Sequence, residues 1–333
     1  MCNEISASDF LAKRSSFDAV FDVRSPLEYA AACVPHSTNF YALDDEQRVD
    51  VGTLYVRTPL EARVLGASYI CKNLADHLAG FASRYTPAHR IAIYCARGGL
   101  RSSSVATVLG NIGYRIWRIT GGFKAYRNEI LSFYQTLPPY RFVVLDGNTG
   151  SGKSELILAL ERSIDLEGMA RHKGSAFGEI LGAQPKTMKF ENELHFELTR
   201  LGSLEAIAIE AESRTIGRVT TPASVYAAMQ AGKRVWIDCS IDDRIKRTVR
   251  EYGAISQEFF DRSIARITPL IARTVLKEIR ESFAKRDLET CAFLLLTEYY
   301  DKVYKKPPHI DAVVRFDTLA NACAELEAIR QCV

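Results

Sequence analysis

Two short stretches of this chain carry residue types that do chemistry. The first is "YCARGGLRSSS" (94–104), in which Cys95 follows the apolar run "RIAIY" and precedes two glycines and two arginines. Backbone N–H groups from Ala96 to Arg101 can surround the sulfur, and a helix opening near Leu100 or Arg101 brings its positive end close. Arg97 and Arg101 add charge. All of these lower a thiol pKa and favour the thiolate. Gly98 and Gly99 let the loop curl. The C-x5-R loop then fits three roles: a cup for a persulfide or similar group, a phosphatase nucleophile, or a small buried core cysteine.

The second stretch, Gly147-Asn148-Thr149-Gly150-Ser151-Gly152-Lys153-Ser154, matches G-x-x-x-x-G-K-[ST] in full. The strand-like "RFVVLD" precedes it and the helical "SELILALERS" follows, which is the context the motif needs. Glycines permit the dihedrals that aim backbone N–H groups inward, and the helix N-terminus completes an anion cradle. Lys153 adds a point charge toward terminal phosphates. Ser154 can ligate Mg²⁺ if a nucleotide is the ligand. The motif states phosphate binding and not ATP hydrolysis. A partner carboxylate is expected at a strand end: Asp238 in "RVWIDCS" has Walker-B character, and Glu210 and Glu212 in "IAIEAESR" are rivals. His172, in the polar loop "ARHKGSAFG", is a further candidate for ligand contact.

These loops need strands to hold them. "FDAVFDVRS", "RIAIYCA" and "YRIWRIT" read as strands, alternating with the helical "LEYAAACV" and "SSSVATVLGNIG", where Gly113 is a C-cap candidate. Such alternation predicts a parallel α/β sheet over 1–134. The Pro138-Pro139 pair marks a linker over 135–141. A second α/β unit, 142–333, begins at the phosphate loop's strand, has further strands at "AIAIEAES" and "RVWIDCS", and ends in helices such as "DDRIKRTVREYG" and "RDLETCAFLLLTEYYDKVYKK".

Composition agrees. The 333 residues suit about two domains, and 47% hydrophobic with 25% charged residues is ordinary for a soluble globular chain. The longest apolar runs, such as "CAFLLL", are far short of a membrane span, and the opening "MCNEISASDFLAKRSS" shows no secretory signal. Eight cysteines without a CxxC pair argue against a zinc site or a disulfide framework. A reducing cytoplasm is the expected location. A net charge of +3 does not by itself mark a nucleic-acid binder.

The first unit resembles a rhodanese domain, through "FDVRSPLEY" (21–29), "VPHSTNF" (34–40), "YCARGGLRS" (94–102) and "RITGGFKAYR" (118–127). In that family Asp22 and Arg24 support the site. The related Cdc25-type phosphatases also use C-x5-R but place His before the cysteine, where this chain has Tyr94. A rhodanese unit ahead of a P-loop unit is similar to the tRNA 2-selenouridine synthases. Further segments fit that family: "DDEQRVDVGTLY" (44–55), "DLEGMARHKGSAFG" (165–178), "QPKTMKFEN" (184–192), "EAESRTIGRVTTP" (210–222) and "EYYDKVYKK" (298–306).

The resemblance implies a rhodanese-like parallel-sheet domain followed by a P-loop NTPase-like α/β domain with a helical C-terminal part. It implies conversion of wobble 2-thiouridine in tRNA to 2-selenouridine, through S-geranylation from geranyl diphosphate and selenium transfer from selenophosphate. Cys95 would serve selenium transfer, and the loop 147–154 would bind a diphosphate or tRNA phosphate, with Mg²⁺ as an optional ion and no tightly bound cofactor. Arg214 falls in the "EAESR" segment of the second site. Arg244, Lys246, Arg247 and Arg250, with Lys302, Lys305, Lys306 and the run Arg171 to Lys173, are candidates to grip tRNA, and Tyr299, Tyr300 and Tyr304 to stack on its bases. The competing readings are a sulfurtransferase or phosphatase with a nucleotide-binding domain, and a regulatory ATP-binding module.

Overall fold

The computed structural model describes residues 2–333. The chain divides into two compact units. One runs to Thr136 and takes in Glu191–Glu193; the other comprises Leu137–Phe190 and Leu194–Val333.

The first unit is built on five strands: β1 (Cys2–Ile5), β2 (Ala19–Asp22), β3 (Thr38–Asn39), β4 (Arg90–Tyr94) and β5 (Arg115–Ile119). They pair in the order β1-β5-β4-β2-β3, all parallel. Buried on both faces, the central strands are near-continuous apolar runs, as parallel sheets require; Ile91, Ala92, Ile93 and Tyr94 of β4 are fully buried. The chain leaves β2 toward β3 and leaves β4 toward β5. The crevice at their carboxyl ends is therefore a switch point, the usual place for a site in an open α/β sheet. Asp22 ends β2, and Cys95 follows β4. The expected helix after β2 is confined to Pro26–Ala31, where the Glu28 carboxylate reaches back to accept from Ser25 N at 3.1 Å. Two helices, Asp45–Arg57 and Pro59–Leu78, form a pair that the sequence pattern did not separate.

The second unit holds β6 (Phe142–Asp146), β7 (Ser163–Ile164), β8 (Ile207–Glu210), the antiparallel pair β9 (Thr215–Ile216) and β10 (Val219–Thr220), β11 (Lys233–Asp238) and β12 (Ala312–Arg315). The sheet order is β12-β11-β6-β8-β7, again all parallel. The phosphate loop leaves the central strand β6 and enters the helix Lys153–Ala159. The C-terminal helical part packs around its own core of Phe260, Ile264, Ile279, Phe283, Leu295 and Leu296. Its expected long helix over 286–306 is present as one continuous run over 288–303, made of Leu288–Leu295, a π-turn at Leu296–Tyr300 and Asp301–Val303. No helix of the described residues is long and apolar enough to cross a membrane.

Candidate functional site

The Cys95 loop is shaped from below. The helix Gly122–Gln135 points its first N–H groups at the loop's carbonyls: Phe123 N donates to Cys95 O at 2.8 Å and Lys124 N to Ala96 O at 3.0 Å. Engaging those carbonyls frees the loop's own amides to face the sulfur. Gly122 is required there, because at φ +58° an added Cβ would lie 2.2 Å from Cys95 O. Gly99 N donates to Cys95 Sγ at 3.2 Å, and the Ser102 hydroxyl lies 3.2 Å from the same atom. Burial alone pushes the thiol up. Hydrogen bonds from Ser102 and from the loop backbone, with the Arg101 charge, reverse this and hold Cys95 below the ordinary thiol value. The loop thus makes the sulfur easier to ionise than an inert core thiol. Its residue is only 3% exposed, so attack requires a small, end-on reactant.

Arg101 does not face the sulfur alone: its Nη1 donates to Glu28 Oε2 at 2.6 Å. Arg97 is exposed and acts on the thiolate through its backbone amide. Asp22 and Arg24 form a buried pair beneath the site, with Arg24 Nε donating to Asp22 Oδ1 at 2.9 Å and Nη2 to Ala32 O at 2.6 Å. The Arg24 guanidinium lies 3.8 Å from the Phe123 ring centroid. Tyr94, the residue before the cysteine, is fully buried and donates its hydroxyl to Asp22 Oδ2 at 2.7 Å. It is a strut of the crevice, and its hydroxyl also accepts from Val34 N at 3.0 Å. Glu28, Ser102 and Phe123 complete this constellation; their signal in the sequence was only proximity to the motifs.

In the second unit the phosphate loop folds as its glycines allow: φ is +154° at Gly147, +78° at Gly150 and +93° at Gly152. The Lys153 ammonium donates to Gly147 O at 2.7 Å and to Asn148 O at 3.3 Å, lying across the loop it would share with a phosphate. Burial lowers the Lys153 pKa, opposed by Glu167, Glu212, Asp146 and Glu210. Ser154 Oγ donates to Glu167 Oε2 at 3.0 Å. Arg244 Nε holds Thr149 O at 2.9 Å from the outer side. Asn148 O accepts from Ser151 N at 3.1 Å, closing the turn, while Ser151 Oγ is buried with no partner.

Three glutamates gather at Lys153, alongside Asp146. Glu210 ends β8 directly beside β6 and is 1% exposed. Its Oε2 accepts from Leu166 N at 2.8 Å, while Oε1 is buried without a partner. Burial and then the Glu167 charge push its pKa well up. The same causes push Glu212 up to about 8, so at neutral pH it holds a proton against Glu167. Glu167 was not singled out from sequence, although its segment was. Asp238 ends β11, exposed, and the structure brings Glu210 and Glu212 rather than Asp238 to the lysine. Arg214 is exposed, with Nε 3.4 Å from Thr221 O. His172 is neither solvated nor free: it is buried, and its Nδ1 accepts from Gly174 N at 3.1 Å. Among the described residues no cluster of three His, Cys, Asp or Glu forms a ready metal nest. The hard oxygens of Ser154 and Glu167 suit Mg²⁺ of the kind that keeps water and phosphate as its other ligands.

Two cavities flank this loop. One is almost wholly apolar, about 50 Å³, with Thr149 at its edge and Phe177, Val249, Tyr252, Leu295 and Leu296 among its walls. The other is polar and contains Arg247 and Phe316. Of the basic residues expected at the surface, Arg244 is buried and paired with Asp301, Nη2 to Oδ1 at 2.6 Å. Tyr299 and Tyr300 are core, whereas Tyr304 is exposed.

Comparisons with known proteins follow the same division. Residues 6–129 match the rhodanese-like domain and residues 140–269 match the tRNA 2-selenouridine synthase AAA domain. A tRNA 2-selenouridine synthase of Pseudomonas syringae pv. syringae (strain B728a) is 33% identical over 252 residues, covering 74% of this chain and 69% of that protein. That of Cupriavidus necator is 36% identical over 251 residues, covering 74% and 68%. A solved rhodanese-related protein from Thermoplasma volcanium is similar at 19% identity over 38% of this chain and 92% of that one, with a TM-score of 0.26.

Proposed function

This chain belongs to the tRNA 2-selenouridine synthase family, and from that membership we propose that it replaces the 2-thio sulfur of a wobble 2-thiouridine in tRNA by selenium, in two steps. The observation that carries the reading is one chain holding both a loop cysteine, Cys95, whose ionisation its surroundings favour and a phosphate loop at 147–154. In the first step the thiocarbonyl sulfur attacks C1 of geranyl diphosphate. The C–O bond breaks, an S–C bond forms, diphosphate leaves, and the uracil N3 proton is lost. Lys153 and the loop amides neutralise the diphosphate as its charge develops, and Mg²⁺, held by Ser154 with Glu167, would add to that neutralisation. The apolar cavity beside Thr149 supports a prenyl tail adjoining a phosphate head. At about 50 Å³ it is narrower than such a tail, so seating one requires its walls to part.

In the second step selenium from selenophosphate bonds to C2 as geranyl thiolate departs, and hydrolysis of the P–Se bond releases phosphate. Alkylation has made the sulfur a good leaving group. The Cys95 loop, with inward amides and Arg101, is suited to a small chalcogen anion. The test is mass spectrometry of nucleosides from 2-thiouridine tRNA incubated with geranyl diphosphate and then selenophosphate. Cys95→Ser should accumulate geranylated nucleoside without selenouridine, and Lys153→Ala should lose geranylation. Selenouridine formed by Cys95→Ser removes Cys95 from the selenium step; brisk Cys95-dependent release of p-nitrophenol from its phosphate would favour a phosphatase instead.

A further inference from the structure

A flat cation is fixed against the polar flank of the phosphate loop. The Arg247 guanidinium lies 4.0 Å from the Phe316 ring centroid. Its Nε donates to Glu155 Oε2 at 2.8 Å, and Nη1 contacts Cys239 Sγ at 2.9 Å. Three anchors set the plane of the group as well as its position. Phe316 is itself buried beneath one guanidinium face, and both side chains line the cavity. The stack touches the loop directly: an added Cβ at Gly152 would come within 2.0 Å of Phe316 and 3.2 Å of Arg247 Nε. The cavity alongside measures about 350 Å³, within the range of small-ligand sites.

Charge narrows the ligand. Lys246, Arg247 and Arg250 are matched by Glu155, Asp243 and Asp317 around the same cavity, so it is no trap for a bare phosphate. What it presents is a pre-set cationic plane with carboxylate acceptors at its rim. A planar guanidinium stacks on aromatic rings, including bases, and a base carries the exocyclic N–H groups that carboxylates accept. We propose that this groove seats a nucleobase, stacked on the outer face of Arg247, from a nucleotide whose phosphate lies on the loop 147–154. The seat uses side chains assigned to neither geranylation nor selenium transfer; with geranylation it shares the phosphate-binding loop, where the two phosphates would compete.

Binding to the intact chain tests it, with three probes: ATP, an anticodon stem-loop RNA and inorganic pyrophosphate. Arg247→Ala and Arg247→Lys should each weaken ATP or the stem-loop by roughly ten-fold, the scale of one stacked base, and change pyrophosphate affinity by less than about two-fold. Lysine keeps the charge beside Glu155 but not the plane, so it separates stacking from folding and from simple attraction. A loss confined to ATP assigns a free nucleotide, and a loss confined to the stem-loop assigns a base of tRNA. Wild-type affinity in Arg247→Lys, a parallel fall for pyrophosphate, or no binding of either base-bearing probe to the wild type overturns the proposal. Lys153→Ala reports on the loop separately, through pyrophosphate.

Discussion

Replacing Ser102 by alanine isolates one of the contacts that ionise Cys95. In the thiol form the Ser102 hydroxyl donates to Gly99 O, 3.1 Å away; on ionisation it turns to the sulfur at 3.2 Å. A hydrogen bond to a charged acceptor contributes roughly 2 kcal/mol and one to a neutral acceptor roughly 1 kcal/mol. Ionisation therefore gains about 1 kcal/mol from Ser102, and at about 1.4 kcal/mol per pKa unit its removal raises the Cys95 pKa by roughly 0.7. Below the midpoint the thiolate fraction falls about five-fold; above it the two proteins converge. The assay is the pH dependence of iodoacetamide modification, read by mass spectrometry on the Cys95 peptide so that the exposed Cys2, Cys71 and Cys332 do not interfere. Ser103→Ala is the control, since that hydroxyl donates to Leu100 O instead. An unmoved or lowered midpoint in Ser102→Ala refutes the assignment of Ser102 as a stabiliser of the thiolate.

Two other perturbations follow from buried charge. Asp22→Asn leaves the Arg24 guanidinium buried beside a neutral partner and should cost the first unit roughly 3–5 kcal/mol. Urea unfolding followed through Trp117, with Trp236 replaced by Phe, reads that unit, and a loss under about 1 kcal/mol would show that the pair does not brace the crevice. Glu212 is raised to about 8, so the native state keeps a proton that the unfolded chain has lost above the ordinary carboxyl range. Its stabilising contribution is present in full below that range and declines as pH rises toward about 8. Glu212→Gln, which keeps a donor toward Glu167, should flatten the fall of melting temperature between pH 5 and 8 by a few degrees without added divalent ion; equal slopes in the two proteins contradict the shared proton.

What the sequence revealed and what it hid divide along one line. Cys95 and the loop 147–154 were legible because their geometry is encoded in consecutive residues: a strand, glycines at positive φ, a helix start. Glu167 was not, because it reaches Ser154 only through the return of the chain along β7. Nor could sequence choose between Asp238 and Glu210, for β11 and β8 both flank β6; burial beneath Leu166 decides it, and burial is a tertiary property. The basic run "DDRIKRTVR" shows the same limit. As a helix, Ile241–Tyr252, it turns Arg244 inward to Thr149 O and Asp301 while Lys246 stays exposed. That helix also supplies Thr248, Val249 and Tyr252 to the apolar cavity and Arg247 to the polar one. One rigid element thus borders both flanks of the phosphate loop and holds its Thr149 carbonyl.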